Sequence, residues 1–84
     1  MKNKVLIRLV VPKLMEEYEI FIPVNERISK IKELVINSLK DLSDNDFDSS
    51  EKYNLIDPET GQIYENNKIV RDLEIQNAKK IILF

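Results

Sequence analysis

Three aspartates recur at every second position of the stretch "DNDFDSSE", at Asp44, Asp46 and Asp48. Alternating carboxylates of this kind open the calcium-binding loop of EF-hand proteins, where the first, third and fifth positions supply oxygen ligands. The same loop needs a glycine at its sixth position and a bidentate glutamate at its twelfth. Here those positions hold Ser49 and Leu55. We therefore expect no metal site and interpret residues 43–52 as a solvated acidic loop that could hold a short helical turn.

Catalysis by the commoner routes lacks its usual residues. The chain contains no histidine and no cysteine, which removes the most frequent general base and the thiolate nucleophile. A single glycine cannot build a Gly-rich phosphate-binding loop. Aspartates and glutamates remain as candidate acids and bases, but a domain this small offers them no deep cleft. The sequence therefore predicts a protein that is not an enzyme and holds no cofactor.

Charge and hydropathy argue against two classes of partner. The formal net charge is −2, with acids between the lysines, whereas a nucleic-acid binder of this size should carry a basic stripe. No apolar run reaches the ~18 residues that cross a bilayer, and Arg8 interrupts the apolar start of the chain before a signal peptide is complete. We expect one domain covering residues 1–84, cytoplasmic in location, with no nucleic-acid partner and no insertion into a membrane.

Periodicity predicts two strands followed by a helix. Residues 4–11 and 17–24 both alternate between apolar and mixed positions, and the short segment between them favours a hairpin. From about residue 27 to residue 42 the apolar spacing changes to three and four, which is typical of an amphipathic helix that either Asn25 or Ser29 could cap. Its predicted core stripe comprises Ile31, Leu34, Val35, Ser38, Leu39 and Leu42. Ile36 lies well off this stripe and is expected to be exposed.

The second half of the sequence predicts short strands joined by tight turns. Residues 53–56 and 62–64 flank "DPETG", in which Asp57, Pro58 and Gly61 are typical turn residues. Residues 80–84 form an apolar last strand. If this strand lies beside and parallel to the first one in the middle of the sheet, burial explains its composition. The predicted fold class is α+β, with one helix packed on a mixed sheet of four to five strands.

The order ββαβ(β)β is that of the β-grasp, and its details resemble the ubiquitin superfamily. The stretch "VRDLEIQNAKKIILF" resembles the approach to the last strand of ubiquitin, with a Leu-x-Ile pair, a polar turn and an alternating strand. "YEIFIPVNERISKIKELVINSL" and "IYENNKIVRDLEI" resemble the bacterial YukD/EsaB family, small ubiquitin-like proteins that are encoded with type VII secretion systems. This resemblance covers nearly the whole chain.

The resemblance implies a function in non-covalent protein binding. It implies an accessory or regulatory component of a bacterial type VII secretion system, whose partner is a secretion component; the alternative is a generic ubiquitin-like docking module with a partner unrelated to secretion. Ubiquitin is conjugated through a flexible tail that ends in two glycines. This chain ends on "IILF" inside its predicted last strand, so we expect that it is not conjugated.

Strand alternation also predicts a surface that the helix does not cover. If Ile81 and Leu83 face the helix, then Leu6, Val10, Ile56, Ile82 and Phe84 point to the other side of the sheet, with Arg8 beside them. An exposed apolar area of this kind often marks an interaction site, and the same face is the main recognition surface of ubiquitin. Two alternatives remain open at this point: the faces are exchanged by a shift of one residue, or a loop covers the patch.

Two further interaction sites are predicted. Leu14 and Met15 form an apolar pair at the tip of the first hairpin, which either contacts a partner or folds back on the sheet. A second copy of the chain is the other candidate partner, either through the outer face of the sheet or through an edge strand.

Overall fold

The computed structural model describes residues 3–42, 47–48 and 51–84. Its regular elements in chain order are β1 (Lys4–Val11), β2 (Glu16–Pro23), α1 (Ile28–Leu42), β3 (Leu55–Ile56) and β4 (Lys79–Leu83). Short 3₁₀ turns cover Pro12–Leu14 and Val70–Asp72. Asp44, Asp46 and Ser49, on which the comparison with a calcium loop rested, lie outside the described residues, as does most of the expected helical turn in the acidic loop.

The sheet is four-stranded, in the order β2-β1-β4-β3. β1 and β2 form an antiparallel hairpin, β1 and β4 are parallel, and β3 is antiparallel to β4. The predicted central pairing of the first and last strands is therefore confirmed. The expected return strand at residues 62–64 is reduced to an isolated bridge between Ile56 and Ile63.

The core lies between α1 and one face of the sheet. On β1 the buried positions alternate as the sequence predicted, at Val5, Ile7, Leu9 and Val11, and on β4 they are Ile81 and Leu83. These side chains meet one stripe of α1, at Ile28, Ile31, Val35 and Leu39. Spacing of three and four residues keeps this stripe on one side of the helix.

The predicted phase of the helix was partly wrong. Leu34 is 37% exposed, and Leu42 is exposed as well. Ile36, which was expected to be exposed, is half-buried and packs against the core. The reason is that the chain after the helix returns beside this flank, where Ile36 shares a cavity with Tyr53 and Asn54. A period of three and four does not show which flank a later segment covers.

The segment 66–71 fixes the start of α1. The N–H of Ile28 donates to the carbonyl of Lys68 at 2.8 Å, and the N–H of Ser29 donates to that of Asn66 at 3.1 Å. These carbonyls satisfy helix-end donors that would otherwise need a side-chain cap. The side-chain oxygen of Asn25, one of the two expected caps, accepts a hydrogen bond from Arg71 instead.

Two aromatic residues extend the core beyond the sheet and helix. Phe47 and Tyr53 are both buried, and their rings stack with centroids 4.8 Å apart. The Tyr53 hydroxyl donates to the carbonyl of Asp48 at 2.7 Å. Lys13, in the first hairpin, lies over the Tyr53 ring and forms an ion pair with Glu51. The connection after α1 is thus attached to the β1–β2 turn.

Candidate protein-binding surface

Strand alternation builds an outer face on the side of the sheet away from α1. The buried residues of β1 point to the helix, so Leu6, Arg8 and Val10 point away from it. On β4 the same alternation buries Ile81 and Leu83 and turns Ile82 outward. The two faces are therefore not exchanged.

Four aliphatic side chains of this face lie in register across the sheet. Val10 pairs with Ile82 on β4, Ile82 pairs with Ile56 on β3, and Ile56 forms its bridge with Ile63. Paired residues on neighbouring strands point to the same face with side chains in contact distance. We call these four residues the aliphatic row. It is most open at its Ile63 end, where 56% of the residue is exposed.

Phe84 extends the aliphatic row along the strand direction. Its backbone continues the sheet through two hydrogen bonds with Asn54, at 2.9 and 3.0 Å. By strand alternation its side chain lies on the same face as Ile82, two positions away, and 68% of the residue is exposed. The predicted set of Ile56, Ile82 and Phe84 is therefore brought together on one surface.

A charged row separates Leu6 from the aliphatic row. Arg8 lies opposite Glu19 on β2 and opposite Lys80 on β4. Its guanidinium Nε also lies 3.0 Å from Oε1 of Glu17. Leu6 is four positions before Val10 on the same strand, about 13 Å away at ~3.3 Å per residue. Leu6 was predicted to join Ile56, Ile82 and Phe84 directly, and the structure does not place it there.

Leu6 has a different neighbour, which was not among the residues predicted for this surface. Phe21 lies directly opposite Leu6 in the β1–β2 hairpin, and 54% of it is exposed. The alternation of residues 17–24 places Phe21 on the outer face, so the signal was present in the sequence. What was missing was the hairpin register, which pairs the two residues.

The first hairpin turn divides its two apolar residues. Leu14 is half-buried and packs against the core, which matches the alternative that the turn folds back. Met15 adopts a left-handed backbone conformation with φ of 51° and is 90% exposed. The pair therefore does not form one apolar contact surface; Met15 alone is available to a partner.

The "DPETG" turn that carries Ile63 is held by charges. Nζ of Lys79 lies 3.0 Å from Oδ1 of Asp57 and 3.1 Å from Oε2 of Glu59. The N–H of Glu59, followed by the Lys79 ammonium, holds the pKa of the Asp57 carboxyl below its ordinary value. Hydrogen bonds to Asp57 and Glu59 raise the pKa of Lys79. Gly61 has the positive φ, 75°, that the turn was predicted to require.

The described residues hold no group of three or more acidic, histidine or cysteine side chains placed to bind a metal ion. A surface cavity of about 260 Å³ lies between the "DPETG" turn and residues 68–73. Tyr64 lines it, and burial raises the pKa of the Tyr64 hydroxyl. Within the part of the chain that the structure describes, no helix is long and apolar enough to cross a membrane.

Comparison with known proteins identifies the architecture. No protein-family model matches the sequence, and no curated protein does. The ubiquitin-like domain of the type VII secretion protein ECCD1 of Mycobacterium tuberculosis superimposes with a TM-score of 0.75 at 8% identity, over 95% of this chain and 96% of that domain. The UBL domain of Plasmodium falciparum Dsk2 gives 0.72 at 11% identity, over 95% of both chains. This chain has the ubiquitin-like β-grasp fold.

The ubiquitin-like fold also occurs in a different setting among the similar structures. A chain of the toluene 4-monooxygenase HD complex with 4-bromobenzoate gives a TM-score of 0.78 at 7% identity, over 96% of both chains. At such identities a structural likeness shows a common fold and does not transfer a partner or an activity. The function of this ubiquitin-like chain must be argued from its own surface.

Proposed function

We propose that this chain is a protein-binding module that acts without covalent attachment, through the aliphatic row and Phe84. The observation that carries the proposal is the register that brings Val10, Ile82, Ile56 and Ile63 into one line on the face that the helix leaves open. Contiguous apolar surface beside charged residues is typical of protein interfaces. Arg8 and Lys80 flank the row and supply polar contacts at its rim.

We propose that the partner is a cytoplasmic component of a bacterial type VII secretion system and that the chain serves this system as an accessory or regulatory subunit. Two observations support this setting. Residues 18–39 and 63–75 resemble the YukD/EsaB family in sequence, and the backbone superimposes on the ubiquitin-like domain of ECCD1. We propose that the chain contributes binding and no catalysis, in keeping with its lack of histidine and cysteine.

A binding titration tests the proposed surface. The purified cytoplasmic domains of a type VII secretion ATPase from the same organism are titrated with the wild-type protein and with Ile82→Glu and Ile63→Glu. We expect both variants to bind at least ~10-fold more weakly, about 1.4 kcal/mol, because a carboxylate then lies within the apolar contact. Lys30→Glu, on the solvent side of α1, is the matched control that changes charge and should bind as wild type.

The titration tests the proposed binding surface and the proposed secretion partner separately. Equal binding of wild type, Ile82→Glu and Ile63→Glu would show that recognition lies outside the aliphatic row. Failure of the wild-type chain to bind any of the secretion proteins would favour the alternative, a docking module for a partner unrelated to secretion. The comparable TM-score with the Dsk2 domain, 0.72, is the observation that keeps this alternative in place.

A further inference from the structure

The outer edge of β2 carries backbone groups that pair with no strand among the described residues. β2 is the first strand in the sheet order, and of the described strands only β1 pairs with it. The N–H of Val24 donates to the carbonyl of Asn3 at 2.9 Å, which makes Asn3 and Val24 a hydrogen-bonded pair in the antiparallel register. Because such pairs alternate, the backbone N–H and carbonyl groups of Glu17, Glu19 and Phe21 point away from β1.

The hydrogen bonds of β1 show the same alternation independently. Leu6 lies opposite Phe21, so its backbone groups should also point away from the hairpin. They do: the N–H of Leu6 donates to Asn77 Oδ1 at 3.0 Å, and its carbonyl accepts from the N–H of Ala78 at 2.8 Å. Pro23 has no N–H and closes the free edge beyond Phe21. The open edge therefore covers residues 17–21.

The two sides of this edge differ in chemistry. Glu17 and Glu19 project to the outer face, and both are exposed. Glu17 is partly neutralised by Arg8, whereas Glu19 forms no ion pair with any described residue. A strand that adds to β2 from outside would place every second side chain beside these carboxylates.

The helix side of the edge is apolar. Tyr18 and Ile20 are half-buried and point toward α1. Lys32 and Ile36 occupy the flank of α1 that faces Tyr53 and β3. At 100° per residue Leu34 lies on the opposite flank, toward β2, with 37% of it exposed. The other side chains of an added strand would therefore lie against Tyr18, Ile20 and Leu34.

We propose that the free edge of β2 binds an extended segment of a partner protein in which basic and aliphatic residues alternate. The segment adds a fifth strand through backbone hydrogen bonds to Glu17, Glu19 and Phe21. Its lysines or arginines lie beside Glu17 and Glu19, and its aliphatic residues pack on Tyr18, Ile20 and Leu34. This site is separate from the aliphatic row and does not depend on the function proposed for it.

Charge disfavours a second copy of the chain as the occupant. An antiparallel pair of β2 strands with its two-fold axis at Glu19 places Glu19 opposite Glu19 of the other copy. A shift by one pair in one direction places Glu17 opposite Glu19 twice, and a shift in the other direction places Glu17 opposite Pro23, which has no N–H to donate. Like charges directly opposite each other destabilise a sheet, and charged edges of this kind hinder pairing between identical strands. A basic strand relieves the same charges.

The test uses a capped hexapeptide of alternating valine and lysine, followed by NMR through the backbone amides of the ¹⁵N-labelled chain. We expect the amide signals of Glu17, Glu19 and Phe21 to shift most and to gain protection from hydrogen exchange. The same peptide with glutamate in place of lysine should bind at least ~10-fold more weakly. Shifts confined to Ile56, Ile63 and Ile82 would overturn the proposal and place the peptide on the outer face.

N-methylated peptides show whether the backbone pairs. In antiparallel addition the lysine N–H groups face β2, and in parallel addition the valine N–H groups do. Methylation of one set should therefore abolish binding while methylation of the other leaves it within ~3-fold. If both methylated peptides bind as the parent does, no strand is added and the proposal is wrong.

Charge variants complete the experiment. Glu17→Gln with Glu19→Gln should weaken the valine–lysine peptide about 5-fold at low salt and remove most of its salt dependence. Glu33→Gln with Glu65→Gln removes the same charge elsewhere and should have no effect. Sedimentation of the unlabelled chain tests the competing occupant: a dimer that dissociates on addition of the peptide would show that β2 pairs with a second copy, against the proposal.

Discussion

The backbone N–H of Leu6 donates to the side-chain Oδ1 of Asn77 at 3.0 Å, where β1 begins to run beside β4. The next bond of the ladder is made by the backbone itself, from the N–H of Ala78 to the carbonyl of Leu6. Asn77 therefore supplies an acceptor at a position where the chain is still turning into β4. A side chain completes the pairing of the two central strands.

Replacement of Asn77 by alanine removes this acceptor. We expect Asn77→Ala to lower the free energy of unfolding by about 1 kcal/mol, the usual net value of one hydrogen bond. Asn77→Asp keeps an oxygen in place and should cost less. Urea unfolding measures both. Equal losses for the two variants would show that the bond contributes little and that the turn conformation of Asn77 matters instead.

A second prediction concerns the left-handed residue that follows. Ala78 has φ of 67°, a conformation that an L residue adopts at a cost of about 1 kcal/mol. Ala78→Gly should therefore raise the free energy of unfolding by about 0.5–1 kcal/mol. Gly61 is the matched reverse case: its φ is 75° and an added Cβ would meet no atom within 4 Å, so Gly61→Ala should cost about 1 kcal/mol through backbone strain alone. Thermal unfolding of the two variants measures these changes. A lower melting temperature for Ala78→Gly than for wild type would contradict the left-handed conformation of Ala78.

The burial observed along α1 predicts alanine substitutions whose losses in unfolding free energy are graded. Leu39 has no exposed surface, so Leu39→Ala should cost about 2–5 kcal/mol by leaving a cavity. Leu34→Ala should cost under about 1 kcal/mol, because Leu34 already contacts solvent. Ile36→Ala should fall between them, at about 1–2 kcal/mol. A smaller loss at Ile36 than at Leu34 in urea melts would restore the phase expected from sequence.

The charges around the "DPETG" turn predict a loss of stability in acid. The folded-state pKa of Asp57 is depressed, so its contribution is fully present above the ordinary pKa of about 3.9 and is lost as the pH falls through the folded value. Asp57→Asn has no charge to titrate. The difference in melting temperature between wild type and Asp57→Asn should be large at pH 6 and should shrink below pH 4. An unchanged difference down to pH 2 would exclude this origin.

The charge on Lys79 predicts a loss of stability at high pH. Its pKa is raised in the folded state, so the stability it contributes is complete below its ordinary value and disappears as the pH rises through the raised one. Lys79→Met retains most of the aliphatic stem and cannot titrate. Wild type should therefore lose its advantage over Lys79→Met above about pH 10.5, measured by the midpoint of urea unfolding.

The sequence predicted the fold well where burial follows one local period. β1 alternates with no exception between core and outer face, and a strand with that pattern and a strongly apolar β4 favour central parallel pairing. The turn around Gly61 was also predicted, because only a few residue types accept its backbone conformation. These elements are determined by residues close in sequence.

What sequence could not supply was the register between strands and the side chains that a distant segment covers. Phe47 lies among acidic and polar residues, and only its contact with Tyr53 reveals that it is buried. Ile36 is half-buried because a distant segment returns to it. Leu6 and Val10 belong to one face by alternation, yet the register places Arg8, Glu19 and Lys80 between them. Composition of the surface was predictable from each strand, and its division into patches was not.

The placement of β1 beside β4 has a consequence for biosynthesis. Leu6 and Asn77 are 71 positions apart in the chain, so the centre of the sheet closes only after the residues of β4 have been synthesised. Closing so long a loop costs entropy before any contact offsets it, and such non-local pairing slows folding. A chain emerging from the ribosome can form the β1–β2 hairpin and α1 early. Until β4 follows, the inner edge of β1 has no partner strand, and unpaired strand edges of this kind favour aggregation.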